Sequence, residues 1–418
     1  MTTIELLQKT KAAWPALSAA PAEEKNRLLL AMADALESPI PAILAANGRD
    51  MAGAEGHISA VMLDRLRLDE GRVRAMAGGV RAAAALPDHT GRILAQFTRP
   101  NGMTLRKVRV PFGVVGMICE ARPNVTADIF SLCIKTGNAC VLKGGGDARH
   151  SNEAIAALLR EALRSEGVDP AAFTLLPAGH EAAGALLNAV GYVDVVIPRG
   201  GAGLIRFVRE NARVPVIETG AGIVHTYFDL DGDLTKGRAV VCNAKTRRVS
   251  VCNALDCLIV HRERLRDLAE LCDPMAAERV TVYADTEAFA ALGGHYPADL
   301  LEHASEEHFG TEFLDYKLAV RTVASPEEAL AHIARYSSRH SEAIITENKR
   351  TAAQFTRAVD AACVYVNVST AFTDGGQFGF GAEVGISTQK LHARGPMGLP
   401  ELTTYKYVVT GDGQIRES

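Results

Sequence analysis

Residues 113–146 read GVVGMICEARPNVTADIFSLCIKTGNACVLKGGG. The apolar run Gly113-Val-Val-Gly-Met-Ile-Cys119 fits a buried strand, and Val125 to Thr136 carries apolar residues at helical spacing. Ala139-Cys-Val-Leu-Lys143 is a second buried strand, closed by a lysine and three glycines. Two wholly apolar strands separated by a helix read as neighbours in a parallel sheet with both faces covered.

The rhythm continues on the C-terminal side. A helix from Asn152 to about Ser165 leads to Phe173-Thr-Leu-Leu, a helix from Glu181, the strand Val193-Asp-Val-Val-Ile197, Gly200-Gly-Ala-Gly203, a helix to Asn211 and the strand Val214-Pro-Val-Ile-Glu218. Beyond Cys252 it resumes with strands Leu255–Val260, Arg279–Tyr283, Leu318–Val323, Ala343–Thr346 and Cys363–Val368, with helices between. On the N-terminal side, residues 4 to about 88 are helical, with Pro39 and Pro41 as breaks. Asn101-Gly102 between two alternating, basic runs marks a projecting hairpin at about 94–111. The terminal run Leu402 to Thr410 is expected to pair with it. The expected fold class is therefore α/β: two doubly wound parallel-sheet domains plus the hairpin as an oligomerisation element. The expected domains are residues 1–250, 251–370 and a glycine-rich loop with C-terminal segment over 371–418.

A chain of 418 residues is too long for one ordinary core. Apolar residues at 48% and charged residues at 22% fit a soluble enzyme or binding protein, and a net charge of −4 argues against a nucleic-acid partner. No apolar run approaches the ~20 residues of a membrane span. Met-Thr-Thr-Ile-Glu-Leu at the start lacks the features of a signal peptide, so a cytoplasmic location is expected. The eight cysteines form no CxxC and no zinc-like spacing with histidine, so no metal is expected. Seven of them, at positions 119, 133, 140, 242, 257, 272 and 363, read as core or helix residues.

The eighth is different. Asn243-Ala-Lys-Thr-Arg-Arg-Val-Ser-Val-Cys252-Asn-Ala254 joins an amphipathic helix, roughly Leu234 to Ala244, to a buried strand. A free thiol titrates near ~8.5, and Lys245, Arg247 and Arg248 would favour its thiolate. Cys252 is a candidate nucleophile at a domain junction; the alternative is a small packed cysteine beside a solvated charge run. At the strand ends stand Lys143, Arg199 with Gly200 and Gly201, and Glu218. In such sheets ligands lie beyond the carboxyl ends of the strands. Glycines opening a helix let backbone N–H groups approach an anion, and Lys143 suits a ribose hydroxyl or a phosphate. The spacing is not GxGxxG, and the glycines are equally readable as turn residues.

With those residues in view the chain resembles the aldehyde dehydrogenase superfamily from about residue 4 to 410. The resemblance rests on Glu120-Ala-Arg-Pro-Asn-Val-Thr126, Asn243-Ala-Lys-Thr246 with Val251-Cys-Asn-Ala254, Thr311-Glu-Phe-Leu-Asp315, His340–Asn348, Thr373–Gly379 and Ser387–Gly398. Its most similar branch reduces an acyl phosphate. The resemblance implies NADPH-dependent reduction of L-glutamyl 5-phosphate to L-glutamate 5-semialdehyde through a cysteine thioester, with phosphate release, in proline biosynthesis. The alternative is an NAD(P)-dependent aldehyde dehydrogenase acting on another small aldehyde. The resemblance makes Cys252 the nucleophile and Asn124 an oxyanion donor. It makes Lys143, Arg199, Gly200, Gly201, Glu218 and Glu312 cofactor contacts, and Arg122, Lys245 and Arg247 substrate cations. Arg247, Val249 and Ala371 depart from the branch pattern of glutamine, proline and arginine, so Arg247 is expected to take over phosphate recognition. A homo-oligomer and transient contact with glutamate 5-kinase are implied as well.

Overall fold

Five helices open the chain: α1 (Thr3–Ala19), α2 (Ala22–Glu37), α3 (Ile40–Ala54), α4 (Ala60–Leu66) and α5 (Glu70–Ala85). The computed structural model describes residues 1–58, 60–120 and 122–416. Thr2 and Glu5 close a capping box on α1, and Asp69 caps α5. Among the described residues no single helix is long and apolar enough to cross a membrane.

The expected hairpin is β1 (Ile93–Thr98) and β2 (Thr104–Pro111). Then come β3 (Val114–Cys119), α6 (Asn124–Lys135), β4 (Ala139–Lys143), α7 (Arg149–Ser165), β5 (Phe173–Leu175), α8 (His180–Leu187), β6 (Val195–Arg199) and α9 (Ala202–Asn211). The four strands form a parallel sheet in the order β5-β4-β3-β6. The chain winds outward from β3 to β5, then returns to the other side of β3, so the topological switch lies between β3 and β6. The run Val214–Glu218, expected as a full strand, makes only an isolated bridge, Val196 to Val216. Pro215 has no N–H to give a ladder.

The second sheet is built from β7 (His225–Phe228), α10 (Leu234–Thr246), β8 (Cys257–His261), α11 (Leu268–Ala277), β9 (Thr281–Ala284), α12 (Thr286–Leu292), β10 (Leu301–His303), β11 (Lys317–Val323), α13 (Pro326–Tyr336), β12 (Ser341–Ile345), α14 (Lys349–Ala358) and β13 (Cys363–Val366). All seven strands are parallel, in the order β10-β9-β11-β8-β7-β12-β13. A small antiparallel pair, β14 (Ile386–Ser387) and β15 (Gly395–Pro396), follows. The terminal strand β16 (Thr403–Thr410) pairs with β2, as its sequence leads one to expect.

The chain divides into two units. The first holds Met1–Thr219, Gly379–Gly385 and Met397–Ser418; the second holds Gly220–Phe378 and Ile386–Pro396. The second unit thus begins at Gly220, earlier than the expected boundary at 250/251. The reason is β7, which precedes Cys252 and lies between β8 and β12 in the second sheet. The C-terminal 371–418 stretch is likewise shared between the two units.

Candidate active site

Cys252 lies in the tight connection from α10 to β8. Asp233 caps the start of α10, and the Arg247 N–H donates to the Asn243 carbonyl at its end. The Ala254 N–H donates to the Val251 carbonyl, closing the turn around Cys252. The next residue pins the turn. Buried Asn253 donates to the Ala371 and Thr373 carbonyls at 3.3 and 3.0 Å, and its own carbonyl accepts from the Thr370 hydroxyl at 2.9 Å. On the other side, Gly222 presses against the cysteine backbone. A Cβ on Gly222 would fall 1.7 Å from the Cys252 carbonyl oxygen. The Gly222 N–H donates to Glu312 Oε1 at 2.9 Å. The second unit therefore brings Cys252 and Glu312 to one glycine.

Burial separates this thiol from the others. Six cysteines are buried; Cys242 and Cys252 are half-buried. Burial pushes the Cys119 and Cys272 thiols up to about 12 and Cys257 well above its ordinary value. Cys242 lies within α10, beside the Thr246 hydroxyl, without a turn to present it.

Arg247 and Arg248 are exposed just before the Cys252 turn. Lys245 corrects the expectation for it: its side chain is fully buried, 5.9 Å from the Phe313 ring, with no hydrogen-bond partner for Nζ. Burial drives its pKa down and drives that of Asp256 up, while each charge favours the other. Asp256 accepts from the Val224 and Phe313 N–H groups, so it holds the Glu312 segment against the start of β7. A lysine so enclosed supports the site's backbone; it is not presented to a dissolved phosphate.

In the first unit, register sets Lys143 beside Ile118 and Arg199 beside Cys119, at the carboxyl ends of β4 and β6. Gly200 and Gly201 follow at the start of α9. The Gly201 N–H donates to Glu120 Oε2 at 2.9 Å. A Cβ at Gly200 would lie 2.6 Å from that carboxyl group. The turn is thus shaped to take an anionic oxygen against its backbone, with Glu120 supplying one. Glu218 is partly exposed, 3.8 Å from Arg209. Asn124 opens α6, and its amide donates to Asp128 at 2.9 Å. Burial raises the Asp128 carboxyl to about 6, opposed by Asn124 and Arg199. Arg122 is half-buried before α6; Ala121 beside it lies outside the described residues.

Glu120, Asn253 and Gly222 were not singled out as site residues by sequence reasoning. The first two stand inside the quoted motifs, but an acid beside an anion turn and an asparagine after a nucleophile carry no signal until their partners are known. Gly222 carried none.

A family model described as "Aldehyde dehydrogenase family" matches residues 2–293. The chain therefore belongs to the aldehyde dehydrogenase family of NAD(P)-dependent oxidoreductases. Within that family it belongs with the gamma-glutamyl phosphate reductases. The reductase of Bacteroides thetaiotaomicron is 61% identical over 391 residues, covering 94% of this chain and 93% of the relative. That of Bacteroides fragilis is 59% identical over 401 residues, covering 96% of each. The crystal structure of the Thermotoga maritima gamma-glutamyl phosphate reductase matches with a TM-score of 0.95 at 40% identity, over 99% of this chain and 100% of that one.

Proposed function

We propose that this chain reduces L-glutamyl 5-phosphate to L-glutamate 5-semialdehyde with NADPH, releasing phosphate, as a step of proline biosynthesis. The observation that carries the reading is Cys252: a part-exposed thiol on a turn held from both sides, in a chain whose relatives are named for this reaction.

The Cys252 thiolate attacks the acyl carbon of the substrate. The bond from that carbon to the phosphate oxygen breaks, phosphate departs with the electron pair, and a thioester remains. The oxyanion is assigned to the Cys252 backbone N–H, and the family resemblance adds Asn124 as a second donor. One amide hydrogen of Asn124 is committed to Asp128, which leaves the other for this task. A donor of this kind is worth ~2.7–4 kcal/mol. The exposed Arg247 is assigned to balance the phosphate charge, and the family resemblance adds Arg122 to that role. NADPH, when bound, supplies the hydride that reduces the thioester. Expulsion of the thiolate then releases the aldehyde and restores Cys252.

The residues fit such a cofactor. Lys143 and Arg199 offer cations at the ends of the two strands that flank β3, and the Gly200–Gly201 turn already takes a carboxylate oxygen that a phosphate oxygen would replace. Glu312, tethered to Gly222, is suited to ribose hydroxyls, and Glu218 orients the same ligand, since no water needs activation. The chain works as a homo-oligomer in the cytoplasm, and glutamate 5-kinase, which makes the labile substrate, is a transient partner.

The test is the reverse reaction. Oxidation of glutamate 5-semialdehyde with NADP⁺ should require inorganic phosphate and yield an acyl phosphate. Oxidation at the same rate without phosphate would instead support a hydrolytic aldehyde dehydrogenase.

A further inference from the structure

Three donor atoms meet inside the second unit, drawn from widely separated residues. His225 opens β7 and Cys257 opens β8, and the parallel register makes them direct neighbours. His332 joins them from α13, its Nε2 3.6 Å from Cys257 Sγ. The two imidazoles meet edge to face, with centroids 5.6 Å apart. All three residues are buried, and one donor atom from each lies within 4.8 Å of the others.

The hydrogen bonding around the cluster is one-sided. Glu342, wholly buried, accepts from His225 Nδ1 at 3.0 Å and from the His225 backbone N–H at 3.1 Å; the Ser337 hydroxyl donates to it as well. A carboxylate on Nδ1 puts the ring proton there and leaves Nε2 as a bare lone pair. That Nε2 is buried without a hydrogen-bond partner. Were His225 an imidazolium paired with Glu342, Nε2–H would be a buried donor with no acceptor, which is costly. An imidazole aimed by a buried carboxylate is the usual outer arrangement of a metal-bound histidine.

The geometry points to a buried zinc site formed by His225 Nε2, Cys257 Sγ and His332 Nε2, with Glu342 as its outer partner. A tetrahedral zinc ion with bonds of about 2.0 and 2.3 Å sets nitrogen and sulfur about 3.6 Å apart. Cys257 and His332 already stand at that separation. Charge closes too: the dication is balanced by one thiolate and one carboxylate. Binding exchanges the Cys257 S–H bond for S–Zn and releases the proton to the buffer. A fourth position remains for a small oxygen ligand. The ion would tie β7, β8 and α13 together and takes no part in the Cys252 chemistry.

The experiment uses the full-length Cys252→Ala protein, so the proposed nucleophile cannot bind the probe. Stripped of metal and titrated with Co²⁺, it should take up one equivalent with a near-ultraviolet thiolate-to-cobalt absorption, and Zn²⁺ should displace it and raise the melting temperature. Adding Cys257→Ser should abolish the absorption, and Glu342→Gln should weaken zinc about 10–100-fold. Absence of thiolate absorption in the folded Cys252→Ala protein, or an unchanged band after Cys257→Ser, overturns the proposal. His332→Gln serves as a second ligand test should the serine variant fail to fold; a band unchanged by it is equally fatal.

Discussion

Gly222 packs directly on the backbone of the thiol turn and donates its N–H to Glu312. Its Cα faces the Cys252 carbonyl at a distance that admits no side chain. Gly222→Ala should therefore displace the cysteine turn and lower kcat by at least about 10²-fold, as small misplacements of reacting groups do. The check is kcat alongside the alkylation rate of Cys252; unchanged values of both would show that the turn is not held from this side. Lys245 makes a different prediction. It is the buried cation that stabilises the Asp256 carboxylate. Asp256 has a raised folded pKa, so its contribution to stability is complete below the ordinary carboxylate range and is lost as pH rises through about 7. Lys245 has a lowered folded pKa, so below about 8 the folded state carries an ammonium that burial penalises. Near pH 4 Asp256 is protonated and gives that charge no partner, so Lys245→Met should be more stable than the native protein there in urea unfolding and lose that advantage as Asp256 ionises toward about pH 7.5. A difference of the same size at both pH values would remove the electrostatic account. From sequence, Lys245 and Arg247 looked alike, two cations before a cysteine. Helix phase separates them: Lys245 faces the core in the last turn of α10, whereas Arg247 lies just past its end in solvent.

At the scale of elements, the three-stranded ribbon β1-β2-β16 carries a row of exposed apolar side chains. Phe97 pairs with Leu105 and Leu105 with Val409, so the three share one face, and Phe97 and Val409 are each 53% exposed. An apolar row on a free ribbon face calls for a partner of the same kind. In Phe97→Asp/Val409→Asp the proposed homo-oligomer should dissociate to monomers in light scattering; an unchanged mass would assign assembly to another surface. Both strands and the Asn101-Gly102 turn were legible, because alternation and turn chemistry are local. The Val214–Glu218 run was not, since whether an apolar run completes a ladder depends on which N–H groups remain, and Pro215 removes one.

For the whole molecule, the division of labour between the two units yields a prediction of its own. The proposed phosphate-side cofactor contacts, Lys143 and Arg199 to Gly201, belong to the first unit, while Cys252 belongs to the second. Cys252→Ala should thus lose turnover by roughly 10⁴-fold or more while NADPH affinity stays within about threefold in fluorescence titration. Comparable loss of both would mean that the thiol also builds the cofactor site. Read alone, the amino-acid order determined the α/β class, the hairpin, the candidate nucleophile and the cationic strand ends, because hydrophobic period, turn residues and motif chemistry are written in neighbouring positions. It did not determine where the second unit begins, which of the basic residues is enclosed, or that His225, Cys257 and His332 meet. Those follow from strand register and helix packing, which bring together side chains more than thirty and seventy positions apart and give each a burial that no local pattern encodes.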